Sequence, residues 1–168
     1  MVDHPASKIL TSNLEVDYTP LRHLLAAGKW REANQQTHKV MLKAVGKLNP
    51  ESINTLPCSD LHAIDRLWQH YSQGRFGFSA QKTIYLKSGN QPGQDYNWEA
   101  FKRFGDHIGW RKEGSWRKHE ELTFSLNAPA GHLPVVKEAI EVEEEVVIWA
   151  EVAVACSALF SRATDCGL

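Results

Sequence analysis

Apolar residues along most of this chain recur at steps of three and four, the spacing that puts side chains on one face of an α-helix. In "YTPLRHLLAAG", Leu21, Leu24 and Leu25 share a face. Thr19 suits an N-cap with Pro20 at the first helical position, where its missing N–H costs nothing, and Gly28 marks the stop. The pattern resumes in "KWREANQQTHKVMLKAV" with Trp30, Ala33, Thr37, Val40, Met41 and Ala44, so the two runs predict a helical hairpin hinged at Gly28. After the loop "GKLNPES", Leu61, Ile64, Trp68 and Tyr71 form one stripe, with Ser59 as cap, Asp60 near the positive helix end and Gly74 as terminator. "FSAQKTIYLK" predicts a further helix, although Thr83, Ile84 and Tyr85 also suit an extended segment. "SGNQPGQDYN" is rich in turn formers. Asn97 then stands where it can cap a helix carrying Trp98, Phe101, Phe104 and Ile108.

The period fails in "WRKEGSWRKHEELTFSLNAPAGHLP". Leu122, Phe124 and Leu126 alternate there, as in a short strand or an extended lid, and two prolines with two glycines argue against a long element. From Val135 a last helix is expected to run toward residue 160, opening on the acidic run "EVEEE". The apolar tract at 146–160 is interrupted by Glu151. It falls short of the roughly 20 apolar residues a membrane span needs and reads as a buried helix. The pattern predicts an all-α fold: one compact helical domain with an irregular loop region.

Composition refines this picture. A length of 168 residues implies one core of ordinary size. A net charge of -1 excludes a strong global pull toward nucleic acid or anionic membrane. Six tryptophans is a high number; about two in three are expected in the core, leaving the rest to line a surface pocket. Cys58, Cys156 and Cys166 are odd in number and show no CxxC spacing, so neither a structural zinc site nor a disulfide is expected, and a reducing compartment fits. "MVDHPASKIL" lacks the apolar core of a secretory signal, and no targeting segment is expected.

The chain carries no GxSxG, P-loop, HExxH or GxGxxG pattern. His62, His70, His107, His119 and His132 show no metal-ligand spacing; His132, in its tightly turned loop, is the best exception. Asp60 and Asp65 are five positions apart and point to different helix faces, a weak acid–base pair. No catalytic constellation emerges. Lys102, Arg103, Arg111, Lys112, Arg117 and Lys118, however, interleave with Phe101, Phe104, Trp110 and Trp116. Such interleaving suits single-stranded nucleic acid, a flat aromatic ligand bearing carboxylates, or a solvated basic face around core tryptophans. Glu113, Glu120 and Glu121 count against nucleic acid. A flat apolar ligand explains most: the helices supply a floor, and Trp116 and Phe124 a movable wall. "GRFGFSAQK" sets Phe76 and Phe78 beside glycines and reads as a hinge whose rings anchor the restarting helix.

The blocks "LLAAGKWREANQQT", "LPCSDLHAIDRLW", "YSQGRFGFSAQK", "GW…GSW" and "FSLNAPAGHLP", in that order, resemble the genomes-uncoupled-four family of tetrapyrrole-binding proteins over about residues 18 to 134. The resemblance implies a porphyrin-binding core at 18–134; residues 1–17 carry little pattern and are expected to be a mobile lead-in, and 135–168 a divergent helical segment. It implies a cupped apolar palm with flexible loops that takes protoporphyrin IX or Mg-protoporphyrin IX. It also implies no catalysis and no metal ligation. The expected activity is stimulation of magnesium chelatase in chlorophyll biosynthesis, with the large porphyrin-binding subunit of that enzyme as partner. The expected setting is a monomer in the cyanobacterial cytoplasm, with peripheral contact to the thylakoid membrane. Carried over by position, the first loop supplies Ile53 and Leu56, and the second supplies Trp110, Arg111, Trp116, Arg117, His119 and Leu122, with Phe124 beyond it. His119 stands where some members have a tryptophan, and His38 where an arginine can occur. After Pro134 the chain departs from the family: only Lys137 offers a cation there, and the acidic run would repel carboxylates. The alternative expectation is therefore an interaction or sensor domain of the same fold with weakened or lost porphyrin binding.

Overall fold

The predicted hairpin forms as α1 (Thr19–Ala26) and α2 (Trp30–Val45), joined through Gly28 at φ +67°. The computed structural model describes residues 16–135 and 145–168, so Lys137 lies outside the described residues. Then come α3 (Pro50–Ile53), α4 (Cys58–Ser72), α5 (Phe78–Lys87), α6 (Trp98–Ile108) and, past a long irregular stretch, α7 (Glu145–Asp165). Four of the six tryptophans are buried and two, Trp98 and Trp116, are half-buried. That division matches the expectation from composition.

Helix starts follow local chemistry, with two shifts. Asn97 caps α6 as predicted, its Oδ1 accepting the Ala100 N–H at 3.1 Å. At α1 the cap falls one residue earlier, on Tyr18, and Asp17 Oδ1 takes the Thr19 N–H at 2.9 Å. At α4 the helix opens at Cys58 behind Pro57, so Ser59 lies inside the first turn and caps nothing. The α5 ambiguity resolves as helix because a neighbour holds its N-terminus. Asp65 on α4 reaches across to accept the Ser79 N–H (2.9 Å) and Oγ–H (3.1 Å). Gly77, at φ +118°, allows this approach, since a Cβ there would stand 2.7 Å from Asp65 Oδ1.

The block "GRFGFSAQK" does more than restart a helix. Phe76 packs edge-on against Trp30 (5.6 Å) and Trp68 (6.3 Å), tying α2 to α4. Its backbone holds the long loop: Gly77 N–H donates to Leu133 O at 3.0 Å, and Arg75 O accepts from Gly131 N–H at 2.8 Å. Arg75 Nε donates to Ala128 O (2.7 Å), while Gln81 Nε2 serves Gly131 O (3.0 Å) and Pro134 O (2.6 Å). Asn34 Oδ1 accepts the Val135 N–H at 2.7 Å.

The alternating Leu122, Phe124 and Leu126 make no strand: the Leu122 N–H turns back to His119 O at 3.2 Å, and the Thr123 N–H is taken by the His132 side chain at 3.0 Å. Backbone groups met within the loop in this way are not free for a strand ladder, and no strand among the described residues pairs with the segment. Among the described residues the only sheet is the two-residue hairpin β1 (Arg111–Lys112) and β2 (Ser115–Trp116), followed by a 3₁₀ turn at His119–Glu121.

Helix α7 lies against α3, α5 and α6. Phe160 meets Tyr85 at 4.8 Å and Phe104 at 6.1 Å, so its apolar tract faces protein. No helix among the described residues is long and apolar enough to cross a membrane. The end of α7 is tied down four ways. Arg162 Nε donates to Leu56 O (2.8 Å), His62 Nε2 donates to Cys166 O (2.7 Å), and Lys82 Nζ bonds Leu168 O. Cys58 and Cys166 form a disulfide, with Cα atoms 5.2 Å apart across 108 residues of sequence. This corrects the expectation of three free thiols. The pairing depends on the two chain regions meeting in space, which spacing along the sequence does not reveal. In the chain-entropy account, closing a loop of this length stabilises by about 4–5 kcal/mol. The odd cysteine, Cys156, is buried on α7, and burial raises its thiol pKa.

Candidate functional site: an aromatic face in two halves

The residues singled out by sequence divide into two groups with different surroundings. In the first, Trp116 rests on α6. A Cβ at Gly105 would come within 2.5 Å of its indole, so only glycine lets the ring lie there. Trp116 stacks with Phe101 at 5.3 Å and 27°, and with Trp149 of α7 at 4.5 Å and 17°. Trp110 is fully buried; its Nε1–H donates to His132 O at 2.8 Å, and its ring lies 5.7 Å from Trp149. Ile53 and Leu56 are 2 % and 1 % exposed beside α7, and Leu122 is buried as well. Helix α7 thus covers Ile53, Leu56, Trp110 and Trp116.

The second group faces outward. Phe124 is half-buried, with the His119 ring 5.4 Å away and the Arg31 guanidinium 4.2 Å above its ring. Leu126, two positions on, is 48 % exposed. Arg31 was not among the sequence candidates, because helical periodicity places it on the polar side of α2, beside Trp30. Trp149 was missed too, hidden inside a tract that reads as plain buried helix. Only three-dimensional contact gives either residue a role.

Two of the predicted cations, Arg111 and Arg117, are engaged by the loop itself and the end of α6. Arg111 Nη1 donates to both carboxylate oxygens of Asp106 (3.1 and 3.2 Å), its Nη2 donates to Gly114 O (2.7 Å), and the guanidinium sits 5.8 Å from the Trp116 ring. Arg117 donates to Gly109 O (3.1 Å) and Glu121 O. Both brace the hairpin and the 3₁₀ turn.

His132, the best histidine candidate, is a buried structural group. Its Nε2 accepts the Thr123 N–H (3.0 Å), which puts the proton on Nδ1, where it donates to Ile108 O (2.6 Å). Burial holds its pKa below the ordinary histidine value. Asp60 and Asp65 work apart. Asp60 accepts from Tyr18 OH, whose pKa burial and this carboxylate push up, while Asp65 caps α5 and is itself raised by burial. Among the described residues no cluster of three or more His, Cys, Asp or Glu could hold a metal ion.

Fold and rings together define a helical domain whose aromatic cluster is covered by α7 at one end and ends in the half-buried Phe124 at the other. The chain belongs to the GUN4-like family, whose model matches residues 11–149. It is 30% identical over 137 residues to a Ycf53-like protein of Synechocystis sp., covering 77% of this chain and 55% of that protein. It is 29% identical over 132 residues to the chloroplastic tetrapyrrole-binding protein of Arabidopsis thaliana, covering 68% and 46%. The chain thus spans about half the length of these curated relatives. The solved structure of GUN4 from Chlamydomonas reinhardtii superposes with a TM-score of 0.66 at 26% identity, over 93% of this chain and 92% of that one.

Proposed function

We propose that this chain is a non-catalytic binder of protoporphyrin IX or Mg-protoporphyrin IX that stimulates magnesium chelatase through the enzyme's large porphyrin-binding subunit. It acts in a cyanobacterial cytoplasm, touching the thylakoid membrane only peripherally. What supports the reading is family membership together with the half-buried Phe124 ring, which has the His119 ring 5.4 Å away and the Arg31 guanidinium 4.2 Å from its centroid. A macrocycle on such a surface gains about 25 cal/mol per Å² of apolar area buried, before ordering costs. The protein supplies no metal ligand; apolar side chains hold the plane and cations meet its acid groups.

Titration with protoporphyrin IX at micromolar concentration is expected to shift the Soret band and quench tryptophan emission. Adding the chain to a magnesium-insertion assay is expected to raise the rate. Absence of both optical changes defeats the reading. One observation favours the alternative, an interaction domain that has lost the pigment: Trp149 stacks on Trp116, where a macrocycle would lie. Capture of the chelatase subunit by pigment-free protein, with blank titrations, would establish that alternative.

A further inference from the structure

We propose that Arg31, on the first turn of α2, binds a carboxylate arm of a planar ligand seated at Phe124 and His119. The inference rests on the porphyrin reading above and assigns its acid recognition to a residue outside the irregular loop. A flat ligand with acid side arms needs an aromatic surface and, at that surface, a cation not already neutralised. Arg111 is paired with Asp106, and Arg117 is committed to the Gly109 and Glu121 carbonyls. Arg31 is exposed and makes no ion pair among the described residues. The Glu121 carboxylate, in the turn that carries His119, accepts the Lys118 N–H at 2.7 Å.

The position of the guanidinium is informative. It lies 4.2 Å from the Phe124 ring centroid, a cation–π contact that keeps a long side chain gathered over the aromatic. Its planar fork matches a carboxylate in two parallel hydrogen bonds, which an ammonium cannot reproduce. When the acid arm arrives, the guanidinium leaves the ring face for the carboxylate. The freed face of Phe124, flanked by His119 and Leu126, then receives the macrocycle. One side chain both shields the surface and reads the acid.

The test uses the full chain, protoporphyrin IX and its dimethyl ester in the same detergent, and the variants Arg31→Gln and Arg31→Lys. The wild type is expected to prefer the diacid. Arg31→Gln should weaken the diacid about tenfold, or ~1.4 kcal/mol, and leave the diester within about twofold, since the ester removes the charge that Arg31 reads. Arg31→Lys should fall between, and added salt should erode only the diacid preference. Equal losses for both ligands would reduce Arg31 to a packing partner of Phe124, and no loss for either would remove it from the site. A wild type that binds diacid and diester equally overturns this assignment while the porphyrin reading stands. A wild type that binds neither overturns both. Circular dichroism of the variants, expected unchanged at this exposed position, shows that they are folded.

Discussion

Trp116 and Phe124 stand eight positions apart in one loop, yet the chain treats them differently. Trp116 is held by Phe101, Trp98 and Trp149 and lies on a glycine cut for it. Phe124 has an arginine above it and a histidine beside it, both at the surface or half-buried. The covered half is cross-braced by α6 and α7 and behaves as core. The open half is a surface whose aromatic ring is screened by one mobile class of side chain. The comparison teaches that a run of aromatics can serve stability at one end and recognition at the other. The largest expected effect follows: Trp110→Ala, at a fully buried ring, should cost about 3–5 kcal/mol in urea unfolding, whereas Phe124→Ala should cost about 1 kcal/mol or less for its half-buried ring. Equal losses would erase the distinction between the halves.

A smaller effect tests whether the cover competes with a ligand. If Trp149 occupies the face that a macrocycle needs, the binding-competent form is only part of the population, and apparent affinity is reduced by that fraction. Trp149→Ala is then expected to lower stability yet tighten protoporphyrin binding about threefold. An unchanged dissociation constant would confine the ligand to the Phe124 half and sharpen the comparison instead of breaking it.

How much of this was legible beforehand varies with the reach of each interaction. The stripes of α2, α4 and α6 were readable because helical periodicity is local, and so was the Asn97 cap, which bonds three residues ahead. The helical state of α5 was ambiguous because its N-terminus is held by Asp65, fourteen residues upstream of Ser79. Leu122, Phe124 and Leu126 misled because alternation makes a strand only when a partner strand is available. The Cys58–Cys166 link was missed for the same reason as Trp149: both depend on where α7 docks, 108 residues from α4 in the case of the disulfide. For the candidate site, residue type pointed to Trp110, Trp116 and Phe124, and contact in space separates them into a covered pair and an open ring. Residue type does not show that Arg111 and Arg117 bond to the loop's own carbonyls and to Asp106, because those partners are set by how the loop folds back on α6.

The smallest expected effect sits where the two halves meet. His132 accepts the Thr123 N–H next to Phe124 through Nε2, donates Nδ1–H to Ile108 O, and offers its backbone carbonyl to Trp110 Nε1–H. Only the neutral ring can do this, because a proton on Nε2 would face the Thr123 donor. Burial lowers the folded-state pKa below 6.5, so the neutral form is favoured by folding. The stability this contributes is therefore fully present above the unfolded value, about pH 6.5. It is lost as pH falls through the lower folded value, and no further below it. His132→Gln removes the titration, so the stability gap between wild type and variant should be wider at pH 7.5 than at pH 5. Other groups cancel in that difference. A gap independent of pH would mean that the ring is held by packing alone. A narrowing accompanied by faster amide exchange at Thr123, with Trp110 emission unchanged, would show that acid loosens the open half before the covered one.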